Sequence, residues 1–277
     1  MGFRNTSSLS GRRPEWFNRA SDIRFVDMSR GPEDATLLHF EAPRFGDAAE
    51  DLYRQGELFK VRPSKEDTGF DLLGDVLTDI RGSDEDSLNF DARLLKQLAG
   101  FRGLSEKKGV DVVAISGHRW DSSNPPTLDA DLAATAESMC SRTPPARRAR
   151  IAGKLDMIRD HDNVFEMILE GNVTVHGLWT SGDMAALIGL FRQDVVVEGQ
   201  AVFRVSGKLL RIEAEAVKAA TEADDFFRRI PESAGQRLEK RSFLRLQTKG
   251  TGASVVHGRW PGDETEQEIL AALKEMG

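Results

Sequence analysis

The chain has little that would support disulfide, metal or redox chemistry. It contains one cysteine, Cys140, among 277 residues, so no disulfide can form within it. Its histidines stand apart in the sequence, with no second ligand at metal-binding spacing, at His39, His118, His161, His176 and His257. We therefore expect no bound metal, no cofactor and no set of catalytic residues.

Several other sequence signals are also missing. The chain has neither of the glycine-rich phosphate-binding patterns, GxxxxGK[ST] and GxGxxG. It has no run of about twenty apolar residues, which a membrane-spanning helix needs, and its first residues lack the apolar core of a secretory signal. A net charge of −7 disfavours general binding to nucleic-acid phosphates. We therefore expect a cytoplasmic protein that does not contact membranes.

Residues 149–219 contain three runs of alternating apolar and polar residues, then a helical segment, then two more such runs. Ile151, Leu155 and Met157 share one face of the first run, as in a half-buried strand. Met184, Leu187, Ile188 and Phe191 recur at helical spacing in the segment after the third run. The last two runs meet at a glycine turn, where Gly207 can take the positive φ of a tight hairpin.

This order of three strands, a helix and two strands resembles an OB-fold. The resemblance implies a five-stranded barrel over residues 144–220, and it implies no particular activity, because OB-folds host many functions. The alternation places four side chains inside the barrel, namely Val195, Val197, Phe203 and Ile212.

The region before the barrel is predicted to mix helices and strands. The predicted elements are a hairpin of 22–28 and 35–41, helices over 70–80, 90–101 and 128–141, and a strand over 110–115. Apolar residues on both sides of Asp111 predict a central place in a sheet for that strand. Pro144 and Pro145 then mark the boundary with the barrel.

The fold class is therefore α+β, with an N-terminal α/β-type domain, a five-stranded OB-like β-barrel and a C-terminal tail helix. The predicted divisions are a flexible N-terminus (1–21), the α+β domain (22–143), the barrel (144–220), a linker (221–257) and a partner-binding tail (258–277).

Nucleic-acid binding is one hypothesis for the barrel. OB-folds that bind single strands present exposed aromatic residues and a basic groove. Arg150, Lys154 and Arg211 form the candidate basic patch, but acidic and basic residues are nearly balanced across the barrel. The competing interpretation is a scaffold barrel that packs against the N-terminal domain.

An enzyme of unrecognised class is a further hypothesis. The turn Ser116–Arg119 follows the predicted strand of 110–115, and active sites of α/β proteins collect at the carboxyl ends of strands. The sequence offers no acid partner and no nucleophile elbow for this turn. A turn that happens to contain a histidine is the simpler interpretation.

The end of the chain carries a stronger signal for protein binding. Arg259 and Trp260 precede a capping box, in which Thr265 is followed three residues later by Glu268. An apolar stripe follows at helical spacing, composed of Ile269, Leu270 and Leu273. A helix of about ten residues is marginal alone in water, so this stripe must pack on its own domain or on another protein.

This tail resembles the toxin-binding tails of bacterial antitoxins paired with PIN-domain ribonucleases. By that resemblance Arg259 would meet the acidic metal site of the toxin, and Trp260 would be the aromatic anchor. Ile269, Leu270 and Leu273 would fill a groove. The implied function is that of a non-enzymatic inhibitor with a protein partner. Nucleic-acid binding and an unrecognised enzyme remain alternatives, and so does a tail that folds back on its own chain.

Truncating Trp260 tests the partner-binding hypothesis. We expect Trp260→Ala to weaken partner binding by about 2 kcal/mol, as truncation of an interface hot spot does. The melting temperature should stay nearly constant, because the indole would contact the partner. A lower melting temperature with intact binding would instead show that the tail is an internal strap.

Overall fold

A computed structural model describes residues 15–53, 63–121, 123–181 and 184–233. The helices, in chain order, are α1 (Glu15–Ala20), α2 (Phe45–Ala48), α3 (Glu50–Tyr53), α4 (Gly69–Arg81), α5 (Ala92–Ala99), α6 (Phe101–Lys108), α7 (Ala130–Arg142) and α8 (Ala185–Ile188). The strands are β1 (Arg24–Arg30), β2 (Thr36–Glu41), β3 (Val112–Ala114), β4 (Thr127–Asp129), β5 (Arg147–Arg159), β6 (Val164–Leu169), β7 (Val173–Trp179), β8 (Asp194–Phe203) and β9 (Leu209–Ala219). The described part is thus mixed α+β, as the sequence predicts.

The longer helices before the barrel begin at side-chain caps. Thr68 and Asp71 form a capping box at α4, the Asp91 carboxylate accepts from two backbone amides of α5, and Asp129 accepts from the amide of Leu132 in α7. Their apolar stripes share one core with Phe90 and Ile115, and the helical members of that core are Val76, Leu77, Ile80, Leu95, Leu98, Leu132, Ala136 and Met139.

The strands before the barrel form two separate antiparallel pairs, β1 with β2 and β3 with β4. The predicted hairpin is present, within two residues of its expected bounds. The expectation of a central strand near 110–115 is wrong. Val112 and Val113 are 54% and 40% exposed, because β3 pairs only with the three-residue β4 among the described strands.

Residues 147–219 form a closed five-stranded barrel in the order β5-β6-β7-β9-β8. All neighbouring pairs are antiparallel except β7 and β9, which run parallel from the pairing of Gly177 with Ile212 to that of Trp179 with Ala214. The barrel closes through the long pairing of β5 with β8. This mixed topology is compatible with an OB-like fold.

The predicted barrel interior agrees with the structure for three of its four residues. Val195, Val197 and Ile212 are fully buried in the barrel core, whereas Phe203 is buried outside that core, beyond a bulge in β8. Gly207 has the predicted positive φ of 82° in the β8–β9 turn.

The helix between β7 and β8 is shorter than the sequence predicts. It spans only Ala185–Ile188, and of the predicted stripe only Met184 and Leu187 are buried. Ile188 and Phe191 are 54% and 42% exposed, because the chain turns into β8 after a single helical turn.

The barrel docks on the helices through its β8–β9 loop. Val205 is buried in the helical core, and the Ser206 amide donates to the Glu85 carbonyl at 3.1 Å. The Asp86 carboxylate accepts from Ser206 Oγ at 2.5 Å and from Lys208 Nζ at 2.6 Å. The hydrogen bond from Lys208 and that from Ser206 lower the pKa of Asp86, so this junction is held by an ionised carboxylate.

Two parts of the predicted organisation fall beyond the described residues. The partner-binding tail of 258–277, with its predicted helix, lies outside them, as does most of the linker of 221–257. The first residues of that linker form a short 3₁₀ segment, Glu222–Phe227. Within the described ranges, no helix has the length and apolar character that crossing a membrane requires.

Gly177 tests how tightly the barrel interior is packed. A Cβ at this position would lie 2.0 Å from Phe165 Cζ, and the Phe165 ring is fully buried. We expect Gly177→Ala to lower the free energy of unfolding by about 1–3 kcal/mol, because the ring has no space to move into. The measurement is urea denaturation.

Gly103→Ala is the matched control. Gly103 lies in α6, and a Cβ there would meet no described atom within 4 Å. This substitution should leave stability unchanged or raise it slightly. Equal losses of unfolding free energy in both variants would contradict the tight packing described around Phe165.

Candidate functional site

The β1–β2 hairpin has one apolar face and one polar face. Cross-strand pairs place Phe25 opposite Phe40 and Met28 opposite Leu38 on the same face. These four side chains are 59%, 45%, 61% and 53% exposed in that order. Proteins rarely leave apolar side chains of this size together in water unless they bind something.

The opposite face of the hairpin is mostly polar, although Leu37, opposite Ser29, also lies on it and is 42% exposed. Asp27 pairs with His39 across the strands, and Ser29 Oγ lies 2.9 Å from His39 Nε2. Arg24 forms an ion pair with Asp22 at 2.6 Å. The hairpin therefore has one mostly polar face and one face whose apolar side chains are largely exposed.

The apolar face continues into the body of the protein through aromatic contacts. The Phe25 and Phe40 rings meet edge to face at 5.8 Å, and the Phe40 and Phe70 rings lie 5.7 Å apart. Phe70 also lines a cavity of about 330 Å³ beside the hairpin. Ile23, the residue before β1, lines the same cavity, so the hairpin and the cavity are adjacent.

The cavity lies between the N-terminal helices and the barrel. Five aromatic rings contribute to its wall, those of Trp16, Phe17, Phe45, Tyr53 and Phe70. From the barrel it receives Asp162, in the 3₁₀ turn before β6, and Val164, the first residue of β6. Among the described lining residues there is no lysine, arginine or histidine.

Asp162 is an unusual member of this wall. It is 1% exposed, and neither of its carboxylate oxygens accepts a hydrogen bond. The guanidinium of Arg159 lies 3.2 Å from Oδ2, although Arg159 is not among the described lining residues. Buried polar atoms are normally hydrogen-bonded, so the free acceptors of Asp162 need an explanation.

Tyr53 contributes a ring rather than a titrating group. Its hydroxyl donates to the Pro63 carbonyl at 2.9 Å. Burial, reinforced by the charge of Asp67, raises the pKa of Tyr53 to about 12. Tyr53 therefore stays neutral at physiological pH.

The three residues of the candidate nucleic-acid patch do not form one exposed surface. Arg150 and Lys154 are exposed on β5, and Arg150 pairs with Glu198 at 2.6 Å. Arg211 is 9% exposed and bonds to Asp91 and Glu213, each at 2.8 Å. Burial alone would lower the pKa of Arg211, but the two carboxylates outweigh it, so the pKa is raised and the guanidinium stays charged.

The outer faces of β6 and β7 also lack the exposed aromatic residues of a single-strand binder. OB-folds contact oligonucleotides with their second and third strands and with the loops after their first and fourth strands. Here the outward residues of β6 and β7 include Glu166 and His176, which pair at 3.1 Å, and no aromatic residue. The loop after β8 is packed against the helices, as described above.

The turn Ser116–Arg119 is anchored on α4. The Arg119 guanidinium pairs with Asp75 at 2.6 Å and Asp67 at 3.4 Å, and its amide donates to Asp71. The structure records no hydrogen bond between Ser116 and His118 in this described turn. Arg119 thus holds the turn in place, and no nucleophile and base are paired there.

The predicted partner-binding residues cannot be placed on this structure. Arg259, Trp260, Ile269, Leu270 and Leu273 lie outside the described residues. Within the described ranges there is no group of three or more histidine, cysteine, aspartate or glutamate side chains able to hold a metal ion. Cys140 is a half-buried free thiol whose sulfur lies 3.4 Å from the Ala92 carbonyl.

Comparisons with known proteins found no matching family model, no curated relative and no similar solved structure.

Sequence reasoning missed both the exposed hairpin face and the cavity. The alternation of apolar and polar residues in 24–41 predicts strands with one apolar side. It does not show whether that side is covered. The cavity joins α1 to β6, which are more than a hundred residues apart in the sequence. An excess of aromatic residues in 16–70 was the available signal, and it does not by itself predict a cavity.

Substitution of Arg211 distinguishes a structural role of this residue from a role in nucleic-acid binding. Arg211→Ala would leave Asp91 and Glu213 buried without a cation, so we expect the free energy of unfolding to fall by about 3–5 kcal/mol. Lys154→Ala is the control on the exposed strand and should leave the urea midpoint nearly unchanged. A stable Arg211→Ala protein with lost oligonucleotide binding would support the nucleic-acid hypothesis instead.

Proposed function

We propose that the chain is a non-enzymatic protein-binding protein whose main contact surface is the apolar face of the β1–β2 hairpin. The observation that carries the proposal is the exposure of Phe25, Met28, Leu38 and Phe40 on one side of a two-stranded sheet. The residues named for the alternatives offer less support, because Arg211 is buried beside Asp91 and Glu213 and Arg119 is paired with Asp75.

Protein binding explains the composition of this face. Aromatic residues and methionine are enriched at protein interfaces, and methionine adapts its shape to a partner. An isolated two-stranded hairpin is marginally stable in water, so a cover over its apolar face would stabilise it. The polar face, with Asp27, Ser29 and His39, would remain in water.

The hairpin also offers backbone hydrogen-bonding groups to a partner. Among the described strands, β1 and β2 pair only with each other, so each has an outer edge with no strand beside it. An extended segment of a partner can add to such an edge and place alternate side chains over the apolar face. The partner chemistry that fits is therefore an extended, alternately apolar segment.

The tail adds a second proposed contact. The resemblance to antitoxin tails implies a PIN-domain ribonuclease as the partner, with Arg259 and Trp260 in the interface. This remains a prediction from the sequence, because the tail lies outside the described residues. The proposal for the hairpin does not depend on it.

Photo-crosslinking in cells tests the proposed surface. A photoreactive amino acid at Met28 should form one discrete adduct with a protein, because this position lies on the apolar face. The same amino acid at Ser29, on the polar face, should not form that adduct. Absence of an adduct at Met28, or equal adducts at both positions, would contradict the proposal.

A purified partner identified in this way allows a quantitative test by calorimetry. We expect Phe25→Ala to weaken binding by about 2 kcal/mol, the loss typical of an interface hot spot, with an unchanged melting temperature. Leu104→Ala is the matched control, because Leu104 is 46% exposed on α6, a helix that packs on α5, α7 and β4. Equal losses in the two variants would show that exposed apolar area in general, and not the hairpin, drives the association.

A further inference from the structure

The two outer edges of the β1–β2 hairpin differ in how well they are protected against another strand. The β1 edge is interrupted by a bulge between Phe25 and Asp27. The Met28 amide donates to the Asp27 carboxylate at 2.7 Å, so this donor is already used within β1. Charged side chains also stand at the two ends of β1, at Arg24 and Arg30. Bulges and charges are devices by which proteins keep an exposed edge from pairing.

The β2 edge lacks these devices. The extra residue of the bulge belongs to β1, so β2 runs through the pairing without an insertion. No aspartate, glutamate, lysine or arginine lies between Thr36 and Phe40, and Glu41 stands at the end of the strand. Within the described ranges, the backbone groups of β2 form hydrogen bonds only with β1. The outer edge of β2 is therefore open to another strand.

The hairpin gains little stability from the rest of the described structure. Every residue of β1 and of β2 is exposed, although the Phe40 ring contacts that of Phe70. A two-stranded hairpin is marginally stable at best in water, whereas three or more strands with a hydrophobic face can be stable independently. A strand added at the β2 edge would supply this stability.

The sequence of β2 suits pairing with a second copy of itself. In an antiparallel pair centred on Leu38, this residue lies opposite its own counterpart. On the same face, Thr36 lies opposite Phe40, and on the other face Leu37 lies opposite His39. Each residue thus meets one from its own face, because the opposed positions differ by an even number. No two carboxylates and no two basic side chains of 36–40 are opposed, because this segment contains no acidic residue and its only basic residue is His39.

The same symmetry does not suit β1. The antiparallel pair that uses the full length of β1 is centred on Asp27, so two aspartates would lie opposite each other. It would also place Arg24 opposite Arg30. Like charges directly opposite each other destabilise a pair of strands. The edge that is protected in one copy is thus also the edge that is less suited to a second copy.

We propose that β2 pairs antiparallel with β2 of a second copy of the chain, which gives a four-stranded sheet in the order β1-β2-β2-β1. The two copies are related by a two-fold axis at Leu38, the commonest symmetry of protein dimers. The proposal deepens the proposed function and rests on it in treating the hairpin as a contact surface. The apolar side chains of both hairpins lie on one face of the sheet, so Phe25 and Met28 stay open to another protein.

Charge variants of the full chain at Leu38 test the pairing by sedimentation equilibrium. Leu38→Lys and Leu38→Glu each place two like charges at the centre of the interface, so we expect each variant to dimerise at least about fivefold more weakly than the original chain. An equimolar mixture of the two variants should regain the dimer, because the lysine of one copy then faces the glutamate of the other. Val26→Lys is the matched control, because it adds the same charge to β1, at a side chain that is 63% exposed.

Three results of this experiment would overturn the proposal. They are a monomeric original chain, an equal loss of dimer in Val26→Lys and Leu38→Lys, and a mixture of the two Leu38 variants that stays monomeric. Leu38 is 53% exposed, so its substitution should leave the circular dichroism of the monomer unchanged.

Disulfide trapping tests the position of the two-fold axis. In a Cys140→Ser chain, Leu38→Cys should form a disulfide-linked dimer under mild oxidation, because two cysteines at the axis would lie opposite each other. Val26→Cys should not form it, because Val26 lies on β1, one strand away from the interface. A linked dimer from Val26→Cys and none from Leu38→Cys would contradict pairing through β2.

The same variants separate this proposal from the proposed function. A Met28 photo-adduct with another protein, together with a monomeric chain, would overturn the β2 pairing alone. A dimer that depends on Leu38, without any adduct at Met28, would overturn the binding of another protein and leave the β2 pairing in place.

Discussion

The ion pair between Arg211 and Asp91 holds the two halves of the described structure together. Asp91 uses one carboxylate oxygen to cap α5 and the other to accept from Arg211 on β9, at 2.8 Å. Glu213, two residues further along β9, accepts from the same guanidinium. Because buried charges are costly without partners, this network permits little change in how the helices sit on the barrel.

The cavity depends on how the barrel sits against the N-terminal helices, because residues of both line it. The cavity exists because Asp162 and Val164 of the barrel face Trp16 and Phe17 of α1. The loop after β8, which OB-folds use for ligands, is instead buried against the helices through Val205. Binding is therefore proposed for the N-terminal hairpin rather than for the barrel strands.

Several errors of the sequence-based predictions share one physical cause. An apolar run shows that a strand needs cover, but it does not show whether the cover is present, so β3 was expected inside a sheet and lies at the surface. An arginine in an alternating strand looks solvent-facing, and the burial of Arg211 depends on Asp91, which is 120 residues away. The hairpin is a further example. Its strands were predicted correctly, but the exposure of their apolar side was not predicted.

The sequence by itself determined the mixed α+β class, the hairpin and the barrel strands, because alternation along a strand decides which side chains face inward. It also determined the tight turn at Gly207, whose positive φ is a local property of the chain. Only the tertiary structure decided which surfaces stay open. The aromatic cavity, the free acceptors of Asp162 and the burial of Arg211 each join residues that are far apart in the sequence, and no local pattern specifies such neighbours.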